Sequence, residues 1–365
     1  MEFEFKHLHY TPVILPGLEK VGYAWWNGNF FHYKYGLISA YYGIQDFDFR
    51  ESIRFPKDGV LVADSGGYQS LTQNWREEVI KILRWQERNA DIALTFDVTP
   101  KVQASAIGGG VCSWDEFKRR CKLSYRYYKI MERNRENDSL KLLKVIHGSD
   151  AKRFIYWFEY MKDVSADGIS ISPVMTKDPF QVVFQLAYLL DKLEDEERTY
   201  LHILVGSPRE MLPVIAYAGK FFKLTTFDSS TPYIGQKYRE YVVSFIPRIK
   251  FDVGRKSNLY TSDTELPCNC PVCRKLKTFK SINESYFGLT LHNLYKYLEL
   301  IYLIDRAVDI GEDFLLKLAE QISEQSRKAL EALIYSVEEG FEKCYKKYYA
   351  EFMRYASAPK QGKLL

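Results

Sequence analysis

The sequence predicts an α/β chain in which eight parallel strands close into a (β/α)8 barrel, followed by a metal-binding insertion and a group of C-terminal helices. Three observations lead there. Short β-branched or apolar runs recur eight times, amphipathic helical stretches separate most of them, and six runs end in Asp64, Asp97, His147, Ser172, Gly206 or Asp228. Alternating strands and helices imply parallel pairing with helical crossovers, and eight such units read as a TIM barrel. Such a barrel commonly takes about 200 to 250 residues, so a chain of 365 residues leaves room for an appendage.

The runs follow in order. T-P-V-I-L-P at 11–16, G-L-I-S-A-Y-Y at 36–42 and V-L-V-A-D at 60–64 come first. R-E-E-V-I-K-I-L-R-W-Q-E-R at 76–88 has helical spacing and leads to I-A-L-T-F-D at 92–97. A long helical pattern at 113–133 precedes L-L-K-V-I-H at 142–147 and D-G-I-S-I-S at 167–172; L-H-I-L-V-G at 201–206 and L-T-T-F-D at 224–228 complete the set. The glycine-rich A-I-G-G-G-V-C at 106–112 lacks the Lys-Ser/Thr ending of a phosphate loop and reads as a mobile loop.

After Asp228 the alternation stops. The chain divides into a barrel at 1–232, a basic insertion at 233–292, and helices at 293–365 that pack on the barrel and end in a frayed tail. Over 233–280 the insertion carries Lys237, Arg239, Arg248, Lys250, Arg255 and Lys256 ahead of a cysteine cluster, and a further four basic residues after it, against only Glu240, Asp252, Asp263 and Glu265. A local basic stretch suits a polyanion, whereas the overall charge of +4 merely permits one; a solvated charged face is the plainer reading.

Cys268, Cys270 and Cys273 form C-x-C-x-x-C, and His292 follows nineteen residues later. Three thiolates and an imidazole complete a tetrahedral zinc shell with no position left for water, so the expected Zn2+ is structural, one per chain. That closed shell argues against a zinc hydrolase, which needs an open position. Cys112, Cys121 and Cys344 are scattered, which fits a reducing compartment. The N-terminus has acidic residues where a signal peptide needs basic ones, and no run reaches eighteen apolar residues, so a cytoplasmic protein without a membrane anchor is expected.

Three strand-end aspartates are the strongest chemical signal outside the cysteines, because a barrel gathers distant strand ends at one rim. Two carboxylates about 5 to 5.5 Å apart can run a retaining displacement at an anomeric carbon, one attacking while the other shuttles the proton. For any single strand-end aspartate, a helix cap or loop hydrogen bond is the competing role. Asp64 opens D-S-G-G-Y-Q, where Gly66 and Gly67 permit a sharp turn and Tyr68 offers a stacking face.

D-S-G-G-Y-Q at 64–69, F-D-V-T-P at 96–100, H-I-L-V-G-S-P at 202–208, F-D at 227–228, C-N-C-P-V-C at 268–273 and H-N-L-Y-K-Y-L-E-L at 292–300 resemble, in order, the motifs of the tRNA-guanine transglycosylases, over roughly 60–300. The resemblance implies replacement of guanine in a polynucleotide by a free 7-deazaguanine base, in a transferase that assembles as a homodimer. It implies Asp228 as nucleophile at C1′ and Asp64 as general acid and base. Asp97 is expected to read the guanine edge, Tyr68 to stack on the base, and Ser65, Gly66, Gly67 and Gly206 to line the pocket. His147 stands where the family has a glutamine that contacts the base. The six basic residues from Lys237 to Lys256 are the expected backbone grip on a strand whose target base leaves its stack.

The chain departs from the family where nucleic acid is met. Gly-Gly-Leu-Ala-Val-Gly-Glu is replaced by G-I-S-I-S-P-V-M at 168–175, so Ser170 and Ser172 offer hydroxyls in place of glycine backbone; S-S-T-P at 229–232 replaces Pro-Thr-Arg; L-I-S-A-Y-Y replaces Asn-Thr-Tyr-His-Leu. These changes favour the branch that inserts bases such as preQ0 into DNA, with tRNA (the queuosine and archaeosine pathways) as the alternative substrate. A reading of another class is a non-catalytic nucleic-acid-binding partner subunit, against which stands the retention of Asp64 and Asp228.

Overall fold

In the computed structural model, which describes residues 3–14, 24–66, 75–100, 112–172, 178–204, 209–285 and 287–353, the apolar runs form one parallel sheet. Its strands are β1 (His9–Tyr10), β2 (Tyr35–Ser39), β3 (Val60–Asp64), β4 (Ile92–Leu94), β5 (Lys141–His147), β6 (Gly168–Ser172), β7 (Tyr200–Leu204) and β8 (Leu224–Asp228). Neighbours run in chain order from β2 to β8, and β8 pairs with β1, placing Thr226 opposite His9. Between β1 and β2 the ring is joined by a single parallel bridge, Val13 to Leu37. The architecture is a (β/α)8 barrel.

The first two expected strands are corrected. The first pairs through His9 and Tyr10, and of the expected 11–16 the described residues 11–14 carry one bridge, Val13 to Leu37; Pro12 has no N–H to give a ladder. The second ends at Ser39, and Ala40–Gly43 turns at once into a helical segment, α1. Trp85 packs so close to the end of α1 that only glycine fits at 43: a Cβ there would lie 2.1 Å from the Trp85 ring.

The outer layer continues with α2 (Phe49–Ser52), α3 (Trp75–Asn89), α4 (Trp114–Asn134), α5 (Ala151–Met161), α6 (Pro179–Lys192) and α7 (Leu212–Ala218). Their starts are chemically marked. Ser113, Asp150 and Asp178 each accept a first-turn N–H through their side chains, which satisfies donors that a helix start leaves open. The expected loop at 106–112 and the tail after 353 lie, apart from Cys112, outside the described residues.

After β8 come α8 (Thr231–Lys237), an antiparallel hairpin of β9 (Glu240–Phe245) and β10 (Arg248–Asp252), α9 (Pro271–Leu276), α10 (Phe279–Glu284) and α11 (Gly288–Ile310). The chain closes with α12 (Glu312–Ile322), α13 (Glu324–Glu339), α14 (Phe341–Lys347) and α15 (Tyr349–Met353). Expected boundaries at 232 and 292 fall inside α8 and α11. Both helices belong to barrel and insertion at once, because α11 is buried from Gly288 to Tyr295 and packs on α8, α7 and β9. No described helix is long and apolar enough to cross a membrane.

Asp305 on α11 fixes the N-terminal segment. Its carboxylate is 1% exposed and accepts N–H donors from Lys6, His7 and Leu8 at 2.9, 2.7 and 2.8 Å, just ahead of β1. Asp305→Ala leaves these donors without an acceptor, and a loss of about 3 kcal/mol is expected from urea unfolding. Asp305→Asn keeps an acceptor and should lose less.

The barrel interior sets up the site. Period-two alternation sends Leu37, Val62, Ile92, Leu94, Leu143 and Val145 inward as an apolar plug. Further along the same parity, toward the C-terminal ends, the inward residues become Ser39, Asp64, His147 and Asp228, and strand register brings Ser170, His202 and Thr226 side by side across β6, β7 and β8.

Candidate active site

Asp64 and Asp228 sit at the ends of β3 and β8, with Ser39 and Leu204 as their neighbours in register. Asp97 arrives differently. β4 stops at Leu94, and the backbone then leaves the ladder, the Phe96 N–H pointing at the Met131 sulfur. Asp97 thereby turns toward β5, where its Oδ2 meets His147 Nε2 at 2.6 Å while Oδ1 accepts from Ser65 Oγ at 3.1 Å. Asp97 and His147 are both buried, and the His147 ring sits edge-on to Trp157, 4.9 Å between centroids. The residue expected to contact a base is therefore tied to the residue expected to read its edge.

The Asp64 carboxyl is strongly perturbed. Burial raises its pKa from 3.8 to about 7, the negative charges of Asp97 and Asp228 add to the rise, and the Gly66 N–H and the Ser39 hydroxyl oppose it. All three carboxylates thus share one electrostatic field. A carboxyl poised near neutrality can give up a proton and take one back in a single cycle.

Gly66 shapes the turn beyond Asp64. Its φ is +72°, and a Cβ would stand 2.9 Å from Tyr41 N and Cβ, so both the backbone conformation and the space demand glycine. Its N–H reaches Asp64 Oδ2 at 3.4 Å. Gly67, Tyr68 and Gly206 lie outside the described residues. Ser170 and Ser172 are buried on β6, Ser172 in register with His147 and Ser170 with His202.

Asp228 presents two unlike oxygens. Oδ1 is buried and has no hydrogen-bond partner among the described residues, while the side chain as a whole is 21% exposed. His202 Nε2 stands 3.7 Å from Oδ1. Sequence reading passed over His202 and Ser39 as site residues. Parity held the signal: each lies two positions along its strand from an inward apolar residue, Leu204 or Leu37.

The ligand atoms of Cys268, Cys270, Cys273 and His292 lie within 4.8 Å of one another, a donor set of the type that holds one tetrahedral zinc ion. His292 Nδ1 faces the Cys270 and Cys273 sulfurs at 3.4 and 3.1 Å, and Nε2 bonds the Val242 carbonyl at 2.8 Å. That carbonyl can only accept, so the proton sits on Nε2 and the Nδ1 lone pair points into the cluster. Tyr241 stacks on the imidazole at 3.9 Å and its hydroxyl touches Cys273 Sγ at 3.0 Å. The hairpin thus supports the cluster.

The basic residues divide. Lys237, Arg255 and Lys256 are exposed. Arg239 is engaged internally, with its guanidinium on Asn283 and over the Tyr260 ring. Arg248 and Lys250 both pair with Glu240 across the hairpin.

No protein-family profile matches the chain, and no curated protein matches it. Among solved structures it is similar to deoxyribose phosphate aldolase from Aeropyrum pernix, at 16% identity and a TM-score of 0.33, covering 60% of this chain and 84% of that one.

Proposed function

We propose that the protein exchanges guanine in a polynucleotide for a free 7-deazaguanine base, with DNA the favoured strand, by way of a glycosyl ester on Asp228. The observation that carries this reading is the rim itself, where a partly exposed carboxylate on β8 shares a field with a carboxyl on β3 poised near pH 7. In the first half-reaction an Asp228 oxygen bonds to C1′ as the C1′–N9 bond breaks. The electron pair leaves with guanine, which takes the Asp64 proton. The incoming base then gives its N9 proton to Asp64 and attacks C1′, and the bond to Asp228 breaks, returning both carboxyls to their starting states. Asp97, braced by Ser65 and His147, supplies the acceptor for the N–H edge of guanine.

Labelled-guanine exchange on a DNA strand and a tRNA matched in sequence tests the reading. Label should enter DNA faster. Turnover on tRNA alone overturns the preference for DNA, and turnover on neither overturns base exchange.

The Cys268, Cys270, Cys273 and His292 cluster suits Zn2+. A closed Cys3His shell supplies a cross-link between α9 and α11 rather than chemistry at the rim. Cys270→Ser is expected to lower metal content below about one zinc per chain and to weaken folding and polynucleotide binding before it touches the chemical step. Metal analysis and thermal unfolding read the outcome. Full zinc retention with unchanged unfolding counts against the site.

A further inference from the structure

We propose that His202 is a positioning residue that selects and holds one oxygen of Asp228, leaving the other for C1′; the proposal rests on the reading of Asp228 as nucleophile. His202 is fully buried on β7, in the inward row between Ser170 on β6 and Thr226 on β8. Its Nδ1 lies 2.8 Å from Thr226 Oγ1, and its Nε2 faces Asp228 Oδ1 at 3.7 Å. Neither Nε2 nor Oδ1 has a hydrogen-bond partner among the described residues.

The tautomer follows from the partners. A hydroxyl can donate or accept, whereas an ionised carboxylate only accepts. Thr226 therefore donates to Nδ1, and Nε2 carries the hydrogen that points at Oδ1. At 3.7 Å that contact is longer than a hydrogen bond, and a side-chain shift of under about 1 Å closes it. Two buried polar atoms otherwise left unsatisfied gain by closing.

The consequence concerns which oxygen reacts. Oδ1 is buried against His202, so the exposed part of the carboxylate includes Oδ2 and excludes Oδ1. Oδ2 is the oxygen free to bond to C1′. As that bond forms the carboxylate loses its charge, and Oδ1 becomes the ester carbonyl oxygen, still within reach of Nε2–H. When the incoming base displaces the ester, the electron pair returns to the carboxylate and Nε2–H steadies the leaving group. His202 neither gains nor loses a proton in either half-reaction. Its contribution is orientation of the nucleophile before attack and of the leaving group after it.

Three variants and two measurements test the proposal. His202→Leu removes the donor, His202→Gln returns an amide N–H near the Nε2 position, and Thr226→Val deletes the hydroxyl that fixes the tautomer. Single-turnover formation of the covalent protein–DNA adduct should slow by about 10- to 100-fold in His202→Leu, with KM for the strand held within about twofold. His202→Gln should recover most of that rate, and Thr226→Val should fall between. A merely structural histidine predicts instead that the leucine and glutamine variants change thermal unfolding and KM together. Nitrogen-15 NMR of the imidazole is the second measurement, and it is independent of activity. A resonance showing hydrogen on Nε2 and a bare Nδ1 is expected, and hydrogen on Nδ1 overturns the proposal. So does a wild-type rate of adduct formation in a folded His202→Leu protein. If wild-type protein forms no adduct on DNA or tRNA while the Nε2–H tautomer is present, the base-exchange reading fails and the hydrogen-bond assignment stands.

Discussion

Asp228→Asn is expected to abolish guanine exchange, lowering the rate by about 10⁴-fold or more, and to eliminate the covalent adduct on a denaturing gel. The amide oxygen of asparagine is a poor nucleophile and a poor leaving group, so both half-reactions fail. The fold should not suffer. Asp228 Oδ1 is a buried carboxylate oxygen without a partner among the described residues, and an uncharged amide oxygen costs less to leave there than a carboxylate oxygen. His202 can still donate to the amide oxygen. Asp228→Asn should therefore keep its zinc and melt at or slightly above the wild-type temperature. An active Asp228→Asn protein would place the nucleophile elsewhere; an inactive, unfolded one would make Asp228 a structural residue. Asp64→Asn separates the two carboxyls, since it removes only the proton donor and should still form some adduct when the leaving base needs no protonation.

The barrel was legible because it depends on local signals: apolar strands, amphipathic helices and polar strand ends such as Asp64 and Asp228. Closure was harder to read. β1 is two residues long, and an aspartate about 300 positions away in sequence holds the segment before it, a contact that no window of sequence contains. The hairpin β9–β10 hid for another reason: β10 is exposed along its whole length, so burial left no alternating pattern on it. Its Arg248 and Lys250, expected as contacts for a phosphate backbone, both pair with Glu240 across the hairpin. The cysteine spacing predicted the cluster that the fold assembles. The bond between His147 and Asp97 could not be foreseen, because it requires β4 to end at Leu94 and release Asp97 from strand parity.

The largest pH effect should come from Asp64, and its sign is fixed by the direction of the shift. In the folded protein the carboxyl holds its proton up to about pH 7, whereas the unfolded chain releases it near 3.8. Between those values the folded state binds more protons, so stability from this group is fully present below about pH 4. It is lost as pH rises through the window to 7. Asp64→Asn carries no such titration. Relative to wild type it should be unchanged near pH 4 and more stable at pH 8 by on the order of 2 to 4 kcal/mol, read from urea midpoints at each pH. Activity runs the opposite way. On the proposed base exchange, forming the adduct consumes the Asp64 proton, so its single-turnover rate should hold steady below pH 7 and fall about tenfold per unit above it. Resolving the adduct with an incoming base needs the carboxylate and should show the inverse profile. Parallel stability curves for the two proteins between pH 4 and 8 would remove the buried proton, and an adduct rate that is flat through pH 7 would remove its use in catalysis. Desolvation is the largest cause of the raised pKa, with the charges of Asp97 and Asp228 next. Asp97→Asn should therefore move the break in the rate profile to lower pH without erasing it, which distinguishes a buried acid from one tuned by charge alone.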